Sequence, residues 1–282
     1  MPVVAELVLY PIKSCAGLSV PEATLTRAGL AVGAVYDREW MVIDADGRFL
    51  TQREVPRMAL IVPRLGEHAM ILCAPAMAPL AVALALPDDD APTLTVQVWD
   101  DQVLAYDCDA ATAAWFTKAL GRDCRLVRFH AAATRAVSTR WTGGVEAPTL
   151  FSDGYPVLVV GSASLADLNA RLQAAGRAAL PMNRFRPNLV IDGIDAFEED
   201  YSAAFKLGAA VLTPVKPCPR CPMPSVDQAS GVVGPDPLDI LQSYRRKAVL
   251  DDAICFGMNA IVSAGDGERL FVGQQVEAEL DF

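Results

Sequence analysis

The chain is poor in histidine, the side chain most often used for acid–base chemistry. It has 282 residues and only two histidines, His68 and His130. Neither stands in a recognisable triad context, so both read as structural. They are also far apart in sequence and no second paired-cysteine motif exists, so a four-ligand zinc site has too few donors. There is no excess of positive charge: the formal net charge is −10. An overall basic footprint for nucleic acid is thereby excluded, although a local basic pocket is not. No GxGxxG follows a strand, and no Walker-type loop or GxSxG elbow occurs. Long uninterrupted apolar runs are missing as well. Residues 69–87 carry no charge, but Pro75 and Pro79 break them. Their second half alternates Leu80, Val82, Leu84 and Leu86 with alanines, which is the period of a strand. A hairpin is expected there, not a membrane span. Asp88, Asp89 and Asp90 read as a solvated turn and not as a calcium site. The first residues, MPVVAELVLYPIKSC, lack a basic leader followed by an apolar run, so no signal peptide is expected. The seven cysteines are an odd number in a long chain. That disfavours a secreted disulfide framework and suggests a reducing, cytoplasmic setting.

What is present is ample apolar material, 52% against 21% charged, enough for a sizeable core. The first ~120 residues are mostly short extended runs at 4–10, 22–28, 38–44, 93–99 and 102–107, separated by turn signals. Helices are expected at 109–120, with Asp109 as cap and Gly121 as stop, and from Ser164 to about Gly176, with Ser164 and Asp167 as a capping box. A third is expected from Asp236, with Pro237 at its first position, to about Lys247. Further strands are expected at 155–160, 188–193, 209–215 and 269–280, and 142–149 reads as a connecting loop. The fold class is therefore β-rich α+β: a small β-barrel-like N-terminal domain, 1–122, and a second β-barrel domain with peripheral helices, 123–282.

The chemical signal is concentrated in residues 214–231, PVKPCPRCPMPSVDQASG. Five prolines restrict this stretch to a loop or a sheet edge. Cys218 and Cys221 bracket Pro219 and Arg220. A structural zinc site, short of donors, a thioredoxin-like pair, disfavoured by prolines that prevent a helix there, and two ordinary loop cysteines are the alternative readings. A fourth is a thiolate binding a soft, high-valent metal, with Arg220 depressing a thiol and attracting an anion. Lys13 and Ser14, Arg38, and Arg186 each flank a strand end. On an acidic chain such cations either pair at the surface or converge on an anion.

The segments YPIKSCAG (10–17), YDREWMV (36–42), TQREVPRMALI (51–61), SDGYPVLVV (152–160), SLADLN (164–169), FRPNLVIDG (185–193), CPRCPMPSVDQASG (218–231) and CFGMNAIV (255–262) occur in an order and spacing that covers nearly the whole chain. In them the sequence resembles MOSC-domain proteins with an N-terminal MOSC β-barrel. These are relatives of the mitochondrial amidoxime-reducing component and of bacterial proteins that detoxify N-hydroxylaminopurine. The resemblance implies a molybdenum cofactor, Mo-molybdopterin, with the second cysteine of the C-x-R-C element, Cys221, as metal ligand and catalytic centre. It maps the cofactor contacts to Lys13, Ser14, Arg38, Gly154, Tyr155, Arg186, Arg220 and Asn259. Asn259 stands where animal relatives carry Tyr, and Met258 where relatives often have Gln. The implied activity is reduction of small N-hydroxylated compounds. No cysteine cluster follows the last strand, so electrons are expected from an external reductase or small carrier protein. A different class of function is a sulfur or molybdenum-cofactor carrier, with a persulfide on the same cysteine.

Overall fold

The computed structural model describes residues 1–88 and 90–281; Asp89, within the acidic run read as a turn, lies outside them. The class is β-rich α+β. A nine-stranded sheet dominates. Its order is Leu18–Val20, Val3–Leu9, Leu189–Asp192, Val157–Gly161, Ala253–Ala264, Ala210–Pro219, Ser202–Leu207 and Glu277–Leu280, with Arg246–Lys247 added beside Ala253–Ala264. Strands from the first 20 residues therefore pair directly with strands from beyond residue 150. A four-stranded sheet orders Thr93–Val98, Asp101–Asp107, Arg125–Phe129 and Trp40–Ile43. The charge-free segment forms two strands of a three-stranded sheet, Ala69–Cys73 and Leu80–Ala83. Their alternation puts Met70, Leu72, Val82 and Leu84 into the core. Among the described residues no helix is long and apolar enough to cross a membrane.

Residues 214–219 of the proline-rich segment form the far half of the strand Ala210–Pro219. Val211 and Leu212 are paired on both sides, but from Pro214 onward the pairing is only to Ala253–Ala264. That pairing is interrupted by register shifts between Pro214 and Lys216 and between Pro217 and Pro219. Prolines lack the donor a central strand needs, and an irregular, one-sided ladder accommodates them. The edge alternative of the sequence reading is the one realised up to Pro219.

Three expectations are corrected. The helix expected from Ser164 spans Ser162–Ala174. Ser164 is no cap: its hydroxyl donates to Glu199 Oε2 (2.8 Å) and accepts from the Phe197 amide (2.8 Å), and Asp167 instead pairs with Arg171 one turn on. The helix expected over 236–247 is reduced to Leu238–Leu241. Arg245 (2.7 Å) and Lys247 (2.6 Å) both reach the buried Asp200, and the Arg245 carbonyl accepts from the Cys255 amide (2.9 Å). These long-range bonds draw the segment into a strand. The final strand divides into Arg269–Phe271 and Glu277–Leu280, in different sheets, across Gly273 at φ +87°. The first helix, Ala110–Leu120, is as expected: Asp109 Oδ1 accepts from the Thr112 amide (2.7 Å) and Gly121 is left-handed.

One glycine is required by the packing of Ala253–Ala264 on Val157–Gly161. Gly257 has φ +79°, and a Cβ there would lie 2.6 Å from Val160 Cγ2 and 2.9 Å from the Val159 carbonyl oxygen. Gly257→Ala is expected to cost about 3 kcal/mol of stability in chemical denaturation. Gly154→Ala, where a Cβ meets nothing within 4 Å, is expected to stay within about 0.5 kcal/mol of the parent. Equal stability of all three proteins would contradict the packing described.

Candidate active site

A cavity of about 620 Å³ opens where the loops at several strand ends meet. All nine residues expected from sequence line it: Lys13, Ser14, Arg38, Gly154, Tyr155, Arg186, Arg220, Cys221 and Asn259. Lys13 and Ser14 follow the strand Val3–Leu9. Arg38 precedes Trp40–Ile43, Gly154 and Tyr155 precede Val157–Gly161, and Arg186 precedes Leu189–Asp192. Arg220 and Cys221 follow Ala210–Pro219, and Asn259 lies within Ala253–Ala264. Backbone strain gathers at these junctions. Ser14 (φ +63°), Arg38 (φ +52°) and Arg186 (φ +57°) are left-handed although none is glycine. Each such conformation costs about 1 kcal/mol or more and persists because the surroundings impose it.

The charges are held by specific bonds. Asp37, fully buried, accepts from the Tyr10 amide (2.8 Å) and from Asn188 Nδ2 (2.9 Å) and pairs with Arg38. Burial raises its pKa, and Arg38 opposes that shift. Arg38 Nη1 also donates to Asn188 Oδ1 (3.0 Å). Lys13 Nζ donates to the Phe151 carbonyl (2.9 Å) and to Asp153 Oδ1 (2.5 Å). Burial lowers the Lys13 pKa, with Asp153 pulling it back. Although the Asp153 side chain is 68% exposed, the adjacent Lys13 ammonium holds its carboxyl below the usual carboxylate range. Arg135 Nε donates to Asp101 Oδ2 (2.6 Å).

Three further cations on the walls, Arg186, Lys216 and Arg220, have no carboxylate in ion-pair range among the described residues. Arg186, only 6% exposed, donates to the Cys15 carbonyl (2.7 Å). Arg220 donates to Cys218 Sγ (3.2 Å) and to the Phe185 carbonyl (2.8 Å), and its Nε is buried without a partner. The Ser152 and Tyr155 hydroxyls on the same walls are also buried and unpartnered. An unsatisfied buried polar group costs about 1–3 kcal/mol unless a ligand completes it. The six cations on the walls face three carboxylates, Asp100, Asp101 and Asp153, so the cavity is positive within an acidic protein. It suits an anion with many acceptor oxygens.

Two thiols, those of Cys218 and Cys221, reach the cavity wall. Cys218 is engaged by Arg220, whereas Cys221 Sγ has no hydrogen-bond partner among the described residues. Cys15, Cys108, Cys124 and Cys255 lie elsewhere, and burial pushes their thiols up, Cys15 to about 12. Among the described residues no group of three or more His, Cys, Asp or Glu could hold a metal ion. A metal on Cys221 must bring further ligands with it. A pterin dithiolene does so, and its phosphate matches the unpaired cations, so the donor set fits a molybdopterin.

Sequence reasoning did not single out Tyr10, Trp99, Arg135, Asp153, Asn188 and Lys216, all of which line or support this cavity. Tyr10, Asp153 and Asn188 stand inside the segments that carry the resemblance, which was a usable signal. Trp99 and Arg135 lie outside them, and only the fold reveals their place.

Comparison with known proteins gives a consistent result. Residues 1–123 match the model of the MOSC N-terminal beta barrel domain, and residues 146–277 that of the MOSC domain. The chain is 34% identical over 266 residues to mitochondrial amidoxime reducing component 2 of Rattus norvegicus, covering 90% of this chain and 77% of the rat protein. It is 36% identical over 247 residues to mitochondrial amidoxime-reducing component 1 of Homo sapiens, covering 86% of this chain and 72% of the human protein. A molybdenum cofactor sulfurase of Oryza sativa is 33% identical over 297 residues, covering 96% of this chain but 35% of the rice protein. The chain belongs to the MOSC-domain family that includes the mitochondrial amidoxime-reducing components, with a MOSC N-terminal beta barrel domain followed by a MOSC domain.

Proposed function

We propose that the protein is a molybdenum-cofactor-dependent reductase of N-hydroxylated compounds, such as hydroxylamines, amidoximes and N-hydroxylated bases, and that it receives electrons from a separate protein. The observation that carries this reading is the convergence, in one positive cavity, of unpaired cations with a thiol that has no bond of its own. Lys13, Ser14, Arg38, Gly154, Tyr155, Arg186, Arg220 and Asn259 would hold the cofactor, and Cys221 would ligate its metal. The segments 1–122 and 123–282 build the site jointly in this reading, the first giving Lys13, Ser14 and Arg38 and the second the rest. A detoxifying role in a reducing cytoplasm is consistent with seven cysteines that are all free.

When bound, the cofactor supplies the two-electron redox chemistry that N–O cleavage needs. The net reaction takes R–NHOH, two electrons and two protons to R–NH2 and water. The protein's part is to bind and orient. Arg186 and Arg220 neutralise the anionic end of the cofactor with charge-assisted bonds. Lys13 and Arg38 are each fixed by one carboxylate and keep donors on the cavity wall. Arg220 also occupies Cys218, which leaves Cys221 the free thiol of the pair. The persulfide-carrier alternative is not favoured. The relatives matched over most of their own length are amidoxime-reducing components, whereas the sulfurase is matched over 35% of its length.

Cys221→Ala is expected to lose bound molybdenum and hydroxylamine reduction together, while Cys218→Ala keeps most of the metal; elemental analysis and a reduction assay check both. Full metal in Cys221→Ala would refute the assignment. Arg186→Gln and Arg220→Gln are each expected to lower the cofactor retained through purification by about tenfold, the equivalent of one charged hydrogen bond. Fluorescence of the oxidised pterin measures this, and unchanged retention would count against an anion held by these cations.

A further inference from the structure

Arg38 and Arg186 share a support that neither carboxylates nor the main chain provide. The Cζ atoms of both lie over the ring of Tyr10, each 4.3 Å from its centroid. The two guanidiniums are therefore within about a Debye length of each other, roughly 10 Å at 0.1 M salt, and they repel. Arg38 has Asp37 to offset this. Arg186 has no carboxylate in ion-pair range among the described residues, only the Cys15 carbonyl (2.7 Å). The negative face of an aromatic ring attracts a cation, and the attraction is strongest where water is excluded. Tyr10 is 1% exposed.

Other details fit a ring held in place for this purpose. The Tyr10 amide donates to Asp37 Oδ1 (2.8 Å), and its carbonyl accepts from the Arg38 amide (2.7 Å). A Cβ on Gly17 would lie 2.4 Å from Tyr10 Cε1, so glycine there makes room for the ring. Burial pushes the phenol up to about 12 although both arginines pull it down, so the ring is neutral at physiological pH. Its hydroxyl has no hydrogen-bond partner among the described residues. The hydroxyl is thus not what the arginines use.

We propose that Tyr10 is a positioning residue of the anion cradle: the π-system of its ring, 4.3 Å from each Cζ, holds both Arg38 and Arg186 at the cavity wall so that a single anion meets both guanidiniums. This rests on the reading of the cavity as an anion site. The test is isothermal titration of the full chain, made in a host lacking the cofactor, with inorganic phosphate at low salt. Tyr10→Phe keeps the ring face and is expected to bind phosphate within about twofold of the parent. Phenylalanines with increasing fluorination at position 10 keep the shape while draining the ring face of negative charge. Affinity is expected to fall stepwise with fluorine content, to about tenfold weaker for the trifluorinated ring, with the melting temperature little changed. A flat series, or a Tyr10→Phe variant weakened tenfold, would overturn the role of the ring and leave the anion site standing. A parent protein that binds no phosphate would remove the anion site itself, and the inference with it.

Discussion

A guanidinium buried without a carboxylate is costly, because water is lost and no opposite charge replaces it. Arg186 is in that position at 6% exposure. Arg220 Nε is sealed from solvent without an acceptor among the described residues. Much of the architecture can be understood as holding these groups where an anion will complete them. Arg186 takes a left-handed backbone, leans on a main-chain carbonyl and lies over an aromatic ring. The strain is tolerable because neighbouring strands fix both ends of each loop.

The nine-stranded sheet supplies that rigidity. The strand Val3–Leu9 pairs in it with Leu189–Asp192, so Lys13 and Ser14 come to lie on the same cavity as Cys221 and Asn259. Asn188 links the parts. It bonds Asp37 and Arg38, the Val8 carbonyl and the Leu158 amide, and so ties the first strand to two later ones. The irregular proline-rich strand serves the same end. Its one-sided ladder ends with the Arg220 amide donating to the Ile254 carbonyl (2.8 Å), and Arg220 and Cys221 there line the cavity.

Much of this was legible in the sequence. Period-two alternation identified the hairpin at 69–87, and the Asp109 cap and Gly121 stop bounded the first helix. The segments YPIKSC, FRPN and CPRC pointed to residues that do meet on one cavity. What failed was local reasoning in places where distant partners decide the structure. Ser164 has a cap's residue type, yet its hydroxyl is spent on Glu199 and Phe197. The helix expected to reach Lys247 ends early because the buried Asp200 claims Arg245 and Lys247. Trp99 and Arg135 carry no motif, and Lys216, although inside the proline-rich stretch, has no feature that singles it out. Their place depends on how hairpin turns and sheet edges pack in three dimensions.

The central claim is that the unpaired positive charge of this cavity exists to hold a molybdopterin through its phosphate while Cys221 meets its metal. The most direct measurement is joint elemental analysis for molybdenum and phosphorus on protein purified from a host that makes the cofactor. The account predicts both elements equimolar with the protein, and both lost together on mild unfolding. Protein that carries neither element after such expression would contradict it.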